Sequence, residues 1–352
     1  MPKLRIGCPA RPASKEQRDL LIEPAGDKCG EKRTFTAGIQ PIHHHRYRMI
    51  MIKRTLNLSG RLYDLSRPLV MGIVNVTPDS FYPDSRVQGE TALRQRLEMI
   101  VTEGGDLVDL GAYSSRPGAD EVSAEEEMLR LAPALKILRD EYPELPISVD
   151  TFRSSVARWA VEEYGVSMIN DISGGTLDEA MARTIAELQV PYVLMHMRGT
   201  PQTMQSMTQY DDVATAVADF LIERVGQLYE LGVHDLIIDP GFGFGKTLEQ
   251  NYELLSQLPQ LKSTLGLPLL VGLSRKSMIY RLLEISSPEA LNGTSVLHTL
   301  CLERGADILR VHDVLEARQC VRLVEQLRRS SKHNASEHLS LSRATSLTSN
   351  NG

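Results

Sequence analysis

Short runs of aliphatic and β-branched residues alternate along this chain with longer stretches whose apolar positions recur every three to four residues. The short runs fall at 69–75, 106–110, 146–150, 167–171, 191–196, 235–239, 268–273 and 307–312, and each reads as a strand. The stretches between them, such as Glu125 to Glu141 and Asp212 to Leu231, have helical period. Local punctuation agrees, since Ser123 precedes Glu126 with capping-box spacing and Gly165 and Gly232 follow helices. Strand and helix alternating throughout imply a parallel α/β sheet closed into a (β/α)8 barrel of the TIM type. An open doubly wound sheet is the competing fold, but no GxGxxG follows the first strand. Ahead of that strand, Lys53–Leu58, Ser59-Gly60 and Arg61–Leu65 predict a hairpin that plugs the barrel floor.

The two ends depart from this pattern. Residues 1–48 lack sustained periodicity and carry ten Lys/Arg against five Asp/Glu, without the apolar segment of a secretory signal. They read either as a disordered basic arm or as sequence upstream of a start at Met49 or Met51. His43-His44-His45 lies in this arm and reads as incidental rather than as a metal site. Residues 331–352 are rich in Ser, Thr and Asn and read as a disordered tail. The barrel is therefore expected over 49–330.

Composition narrows the class. Hydrophobic content of 42% and charged content of 24% suit an ordinary globular protein. The longest apolar runs, such as Leu267 to Leu273, fall far short of the roughly 20 residues a membrane span needs. A formal charge of −6 gives no global field for nucleic acid or anionic lipid. Cys8, Cys29, Cys301 and Cys320 form no metal-binding spacing, so reduced thiols in a cytoplasm are the simplest expectation.

Chemistry in such a barrel sits where the strands end, so polar residues there need a reason. The strand ends carry Asn75, Asp109, Asp150, Asn170-Asp171, His196, Asp239, Ser274-Arg275-Lys276, and Arg310 with His312. Any one of them could cap a helix or fix a loop. Eight at once, of mixed charge, are better explained by a ligand. Asp150, Asn170 and Asp239 suit a flat heterocycle with adjacent N–H and NH₂ donors, while Arg116, Arg310 and His312 suit an anionic leaving group. The site is thus expected to have two poles.

Two loops rich in turn formers, from Asn75 to Phe81 and from Gly111 to Gly118, have the composition of lids. A third stretch, Asp239 to Thr247, resembles a phosphate loop but has Pro240 where the GxxxxGK[ST] pattern needs glycine. Its glycines are expected to bring the backbone close to a flat ligand, with Phe242 or Phe244 lining an aromatic site. Ser277 then opens a helix whose N-terminus could hold a carboxylate, suggesting a second substrate that bears one.

Asn75-Val-Thr-Pro-Asp-Ser-Phe81, Ser115-Arg-Pro-Gly118, Asp150-Thr151, Asn170-Asp171, Asp239-Pro-Gly-Phe-Gly-Phe-Gly-Lys246, Ser274-Arg-Lys-Ser277 and Arg310-Val-His312 occur in this order. Together they resemble the dihydropteroate synthase family, over roughly Ile52 to Arg329. The resemblance implies condensation of 6-hydroxymethyl-7,8-dihydropterin diphosphate with p-aminobenzoate, releasing diphosphate. It implies that Asp239, Asn170, Asp150, Lys276 and Met195 bind the pterin. Asn75, Ser115, Arg116, Arg310 and His312 would hold the diphosphate, with Asn75 acting through Mg²⁺. Phe81, Phe244 and Ser277 would shape the p-aminobenzoate site. Asp150, Arg116, Lys276, Arg310 and His312 would carry catalysis, and a homodimer through late helices is implied as well.

This sequence departs from the family pattern in both lid loops. Tyr82-Pro83-Asp84-Ser85-Arg86 replaces a small, Gly-rich stretch, and Ala112-Tyr113-Ser114-Ser115 stands where Gly-Glu-Ser-Thr is commoner. Loop closure and sulfonamide affinity are the properties these changes touch. Two other functions fit parts of the pattern: a pterin-dependent methyltransferase and a non-catalytic pterin-binding paralogue. The first has no need of the Ser115–Gly118 and Arg310–His312 anion groups.

Overall fold

A computed structural model describes residues 55–76, 86–113 and 122–330. The basic arm with its histidines, the tail, Cys8 and Cys29, and the remaining segments lie outside these residues.

The predicted hairpin forms first, from β1 (Thr55–Leu58) and β2 (Arg61–Asp64). Its two-residue turn puts Ser59 at φ 51° and Gly60 at φ 82°, the positive pair that a tight, correctly twisted hairpin requires. Among the described residues, eight parallel strands follow: β3 (Leu69–Asn75), β4 (Leu107–Gly111), β5 (Ile147–Asp150), β6 (Met168–Asp171), β7 (Tyr192–Met195), β8 (Leu236–Asp239), β9 (Leu270–Val271) and β10 (Ile308–Val311). They pair in the order β8-β7-β6-β5-β4-β3-β10-β9, and a parallel bridge from Ile238 to Leu269 joins the two ends. The sheet is therefore closed. β9 is shorter than the 268–273 expected, because Pro268 has no N–H to give a ladder and only its carbonyl takes part, accepting from Ile238 at 2.9 Å.

Each of these eight strands is followed by helix. These are α1 (Arg86–Thr102), α2 (Ala124–Glu141), α3 (Ser154–Tyr164), α4 (Met181–Leu188), α5 (Val213–Glu230), α6 (Leu248–Ser256) with α7 (Leu258–Leu265), α8 (Ser277–Tyr280) with α9 (Leu291–Glu303), and α10 over 314–330. Ser123 caps α2 by accepting from the Glu126 N–H at 3.2 Å, but the Glu126 side chain turns to Arg130 at 2.7 Å instead of closing a capping box. Gly165 ends α3 in the left-handed region, as its position suggested.

Alternation along the strands separates two cores. Val70, Val74, Val108, Leu110, Ile169, Leu194, Ile238 and Leu309 pack outward against the helices. Leu69, Met71, Leu107, Met168, Val193, Ile237, Leu270 and Ile308 point inward and meet Leu56, Leu58 and Leu65 from the hairpin. Those three leucines are 0%, 2% and 5% exposed, so the hairpin does close the floor. Ser59 Oγ lies 2.7 Å from Ser167 Oγ beside it, fixing the turn to the barrel. The floor is apolar, so the polar strand ends at the opposite end are where ligand chemistry is expected.

Candidate active site

Side chains two positions apart in a strand share a face. Asp109, Asn170, Met195, Asp239, Gly272 and Arg310 each stand two positions after an inward floor residue, and form the next inward layer. Pairing register places Asn75, Gly111, Asp150 and Asn170 side by side across β3 to β6. A Cβ on Gly111 would touch Asn75 Oδ1 at 3.6 Å and Asp150 Oδ2 at 3.8 Å, so those two groups flank the glycine.

Arg310 organises this layer. Its Nε donates to Asp109 Oδ2 at 2.6 Å and its Nη2 to Asp150 Oδ2 at 2.7 Å. Asp109 is fully buried and also accepts from Ser148 Oγ at 2.6 Å and Asn170 Nδ2 at 3.0 Å. Burial raises the Asp150 carboxyl above the ordinary range, opposed by the Arg310 charge. Burial works against the Arg310 cation too, yet Asp109 and Asp150 carry it above its usual value. The two expected poles are therefore not apart: the principal cation is ion-paired to the carboxylate at the other pole.

A second group faces Asp239. Its Oδ1 accepts from the Gly241 N–H at 2.7 Å, and a Cβ on Gly272 would meet Asp239 Oδ2 at 4.0 Å and Arg310 Cδ at 3.8 Å. Burial raises the Asp239 carboxyl, with Lys276 as the leading opposing charge. Burial likewise brings the Lys276 ammonium down to about 8, against the pull of Asp239. Lys276 donates to the Phe242 carbonyl and lies 4.4 Å from the Phe244 ring centroid. Phe244 packs against the cluster of Ile172, Met195, Met197 and Met204. An apolar wall thus stands beside buried acceptors, as a flat heterocycle requires.

The glycine-rich stretch differs from expectation in its details. Phe242 is fully buried in the outer core, so Phe244 is the aromatic residue at the site. The glycines are required by protein contacts: a Cβ on Gly241 would come within 2.0 Å of the His196 carbonyl oxygen, and one on Gly243 within 3.1 Å of Lys276 Cδ. Lys246 points into its own loop, donating to the Gly241 and Phe244 carbonyls at 2.9 and 3.0 Å. It is not presented as a phosphate-loop lysine would be.

The rim is completed by β9 and β10. Arg275 pairs in fork geometry with Asp313, both contacts at 2.8 Å, which holds the turn that presents Lys276 and Ser277. Ser277 opens only the four-residue α8, a short base for the carboxylate capture expected of it. His312 is exposed, and its ring is brought down to about 4 by desolvation and by Arg310, Arg96 and Arg275. Its exposure makes the repulsion from those cations the firmer of the two causes. Asp171, by contrast, is spent on structure, accepting from Tyr192, Ser173 and Gly175.

The profile of the family described as pterin binding enzyme matches residues 71–312, the span from β3 to the end of β10. Dihydropteroate synthase from Synechocystis sp. is 42% identical over 264 residues, covering 74% of this chain and 90% of that protein. The chain belongs to the dihydropteroate synthases. The solved dihydropteroate synthase of Xanthomonas albilineans with 4-aminobenzoic acid superposes with a TM-score of 0.72 at 40% identity, covering 78% of this chain and 98% of that one. The same enzyme in complex with 7,8-dihydropteroate gives a TM-score of 0.68 at 38% identity, with 78% and 99% covered.

Of the residues the dihydropteroate synthase pattern points to, Phe81, Ser115 and Arg116 lie outside the described residues. Asn75, Asp150, Asn170, Met195, Asp239, Phe244, Lys276, Ser277, Arg310 and His312 all fall at the C-terminal end of the barrel. Tyr113 packs edge-on against Phe152 at 5.2 Å, and its hydroxyl accepts from Gln202 Nε2 at 2.7 Å. Among the described residues no cluster of three His, Cys, Asp or Glu could hold a metal ion. The hard oxygen of Asn75 beside Asp150 fits Mg²⁺ only if the ligand brings further oxygens, which a diphosphate would.

In the sequence Asp109 is visible only as a strand end, and Lys246 only as part of a loop whose phosphate-binding pattern fails at Pro240. For Asp109 a signal was present: it stands two positions after the inward Leu107, so its side chain had to face the ligand layer.

Proposed function

We propose that this dihydropteroate synthase condenses 6-hydroxymethyl-7,8-dihydropterin diphosphate with p-aminobenzoate by a dissociative, SN1-like alkyl transfer. The observation that carries it is the pairing of Arg310 with Asp150 at 2.7 Å, which puts the group suited to a leaving anion against the group suited to a cation. In this reading Asp239 accepts from the pterin N3–H and 2-amino group. Asn170 and Asp150 take the other ring nitrogens, Lys276 the O4/N5 edge, and Met195 lies along the ring. Arg310, His312, Asn75, Ser115 and Arg116 hold the diphosphate, while Phe81, Phe244 and Ser277 shape the p-aminobenzoate site.

The C–O bond between the methylene carbon and diphosphate breaks first, and its electron pair leaves on the diphosphate oxygen. The electron-rich pterin delocalises the resulting positive charge, and the Asp150 carboxylate stabilises it. Arg310 exchanges Asp150 for the departing anion. The aniline nitrogen then attacks, forms the C–N bond and gives up its proton to solvent, so no strong base is needed. Asn75 would hold Mg²⁺ on the diphosphate, where the ion supplies charge neutralisation.

A homodimer is part of the same proposal. It is supported by exposed apolar positions at helical spacing on late helices: Val296 (51%) and Leu300 (38%) on α9, and Leu323 (73%) and Leu327 (56%) on α10. Helix α9 has no long apolar run, and no helix among the described residues is long and apolar enough to cross a membrane. Free, buried Cys301 and Cys320 support a reducing, cytoplasmic setting. Residues 49–330 are proposed as the one barrel unit, with 1–48 and 331–352 as appendages.

Steady-state release of diphosphate, with and without p-aminobenzoate, tests the reaction. Release that depends on p-aminobenzoate and is matched by dihydropteroate supports it. Binding of the pterin diphosphate without turnover would instead mean a non-catalytic paralogue.

A further inference from the structure

Lys246 is buried, at 6% exposure, in a stretch that has three glycines at positive φ: Gly241 at 71°, Gly243 at 80° and Gly245 at 59°. Such a backbone has little conformational preference of its own, so something must select one path for it. Burial brings the Lys246 ammonium down to about 7, against the pull of Asp239. Four acceptors surround it: the Gly241 carbonyl at 2.9 Å, the Phe244 carbonyl and His196 Nδ1 at 3.0 Å, and the His196 carbonyl at 3.5 Å. His196 is itself fixed, 2% exposed and edge-on to Phe220 of α5 at 5.2 Å. Burial, then the Lys246 charge, brings its ring down to about 3, so it is neutral, and in the Nε2–H tautomer its Nδ1 accepts from Lys246.

The other anchors of the stretch are three side chains and one backbone bond, from the Phe244 N–H to the Gly241 carbonyl at 3.2 Å. Asp239 takes the Gly241 N–H and Asn251 takes the Gly243 N–H, each at 2.7 Å. Lys276 takes the Phe242 carbonyl, and the Phe244 ring lies 4.4 Å from the same ammonium. Without Lys246, the Gly241 and Phe244 carbonyls lose their common donor at the point where the Phe244 ring turns toward Lys276.

We infer that Lys246 is a positioning residue that sets specificity for the aromatic amine substrate, by fixing the Gly241–Gly245 backbone so that Phe244 is held against Lys276. It touches neither substrate and acts through Phe244. The inference rests on the proposed place of Phe244 in the p-aminobenzoate site.

The test is a double-mutant cycle of Lys246→Met and Phe244→Leu, read as KM for each substrate, kcat and Tm. Phe244→Leu alone tests the underlying reading: an unchanged KM for p-aminobenzoate would overturn that assignment. Given a raised value there, Lys246→Met is expected to raise KM for p-aminobenzoate by about tenfold and KM for the pterin diphosphate by less than about threefold. The double variant should be little worse than the worse single one, because both changes disturb the same contact. Equal losses for both substrates, additive effects or an unchanged KM for p-aminobenzoate would overturn the inference. Asn251→Ala, which frees the Gly243 N–H from the other side, gives a second route if Lys246→Met does not fold. It should show the same selective rise, and a uniform loss would count against Lys246 as well.

Discussion

Arg310 on β10 donates to Asp150 on β5 at 2.7 Å, across the mouth of the barrel, while its Nε holds Asp109 on β4. The chain is thus closed on itself before a substrate arrives. A pterin cation in place of the guanidinium leaves Asp150 compensated, and a diphosphate in place of the carboxylate leaves Arg310 compensated. Charge pairing is conserved through the exchange, which keeps the cost of breaking a buried ion pair low.

Arg310→Ala should weaken binding of the pterin diphosphate by about 1.5–3 kcal/mol, the range for hydrogen bonds to charged groups, and weaken binding of the free pterin alcohol far less. Titration calorimetry with both ligands checks this. Equal losses would remove Arg310 from the diphosphate site. The same change leaves buried Asp109 without its cation, so the fold should lose about 3 kcal/mol in a denaturant titration.

Asp150→Asn keeps the shape of the site and removes the charge that faces the developing cation. The expected loss is about 10²- to 10³-fold in kcat, with the dissociation constant for pterin diphosphate changing far less. A loss confined to substrate affinity would make Asp150 a binding group only.

The pH profile of kcat/KM for the pterin diphosphate, at saturating p-aminobenzoate, should be bell-shaped; Lys246, which burial brings down to about 7, acts on the p-aminobenzoate side and is kept out of this profile. Below the raised range of Asp150 the carboxylate is protonated and the cation loses its partner, so activity falls toward acid. Above about 8 the Lys276 ammonium deprotonates, so activity falls toward alkali. Lys276→Arg should abolish the alkaline limb of whatever activity remains, because a guanidinium stays charged. An alkaline limb that persists would assign it elsewhere.

Leu58→Ala at the floor should cost about 2–5 kcal/mol of stability and leave both KM values unchanged, since the hairpin packs beneath the ligand layer. Thermal unfolding with steady-state kinetics separates the two effects, and a raised KM would mean that floor and site are coupled.

Much of this architecture was legible in the sequence. Strands such as β3 and β8 were found to within a residue because they are buried on both faces and read as unbroken apolar runs. β9 was overestimated because Pro268 extends the apolar run but not the ladder. The strand-end polar residues were found because one rim collects them, whereas their pairings were not. Arg310 and Asp109 are separated by 201 positions, and only the pairing of β10 with β3, itself beside β4, makes them neighbours. Lys246 escaped for a similar reason: the phosphate-loop pattern fails at Pro240, and His196, the side-chain partner of its ammonium, is 50 positions away.

The most direct test of the account is the secondary isotope effect on kcat/KM for the pterin diphosphate deuterated at its reacting methylene. Bond breaking ahead of attack flattens that carbon, so the expected effect is normal, with the light substrate reacting faster. An effect absent or inverse would mean that the aniline nitrogen displaces diphosphate directly, and that the pairing of Asp150 with Arg310 does not foreshadow a cation.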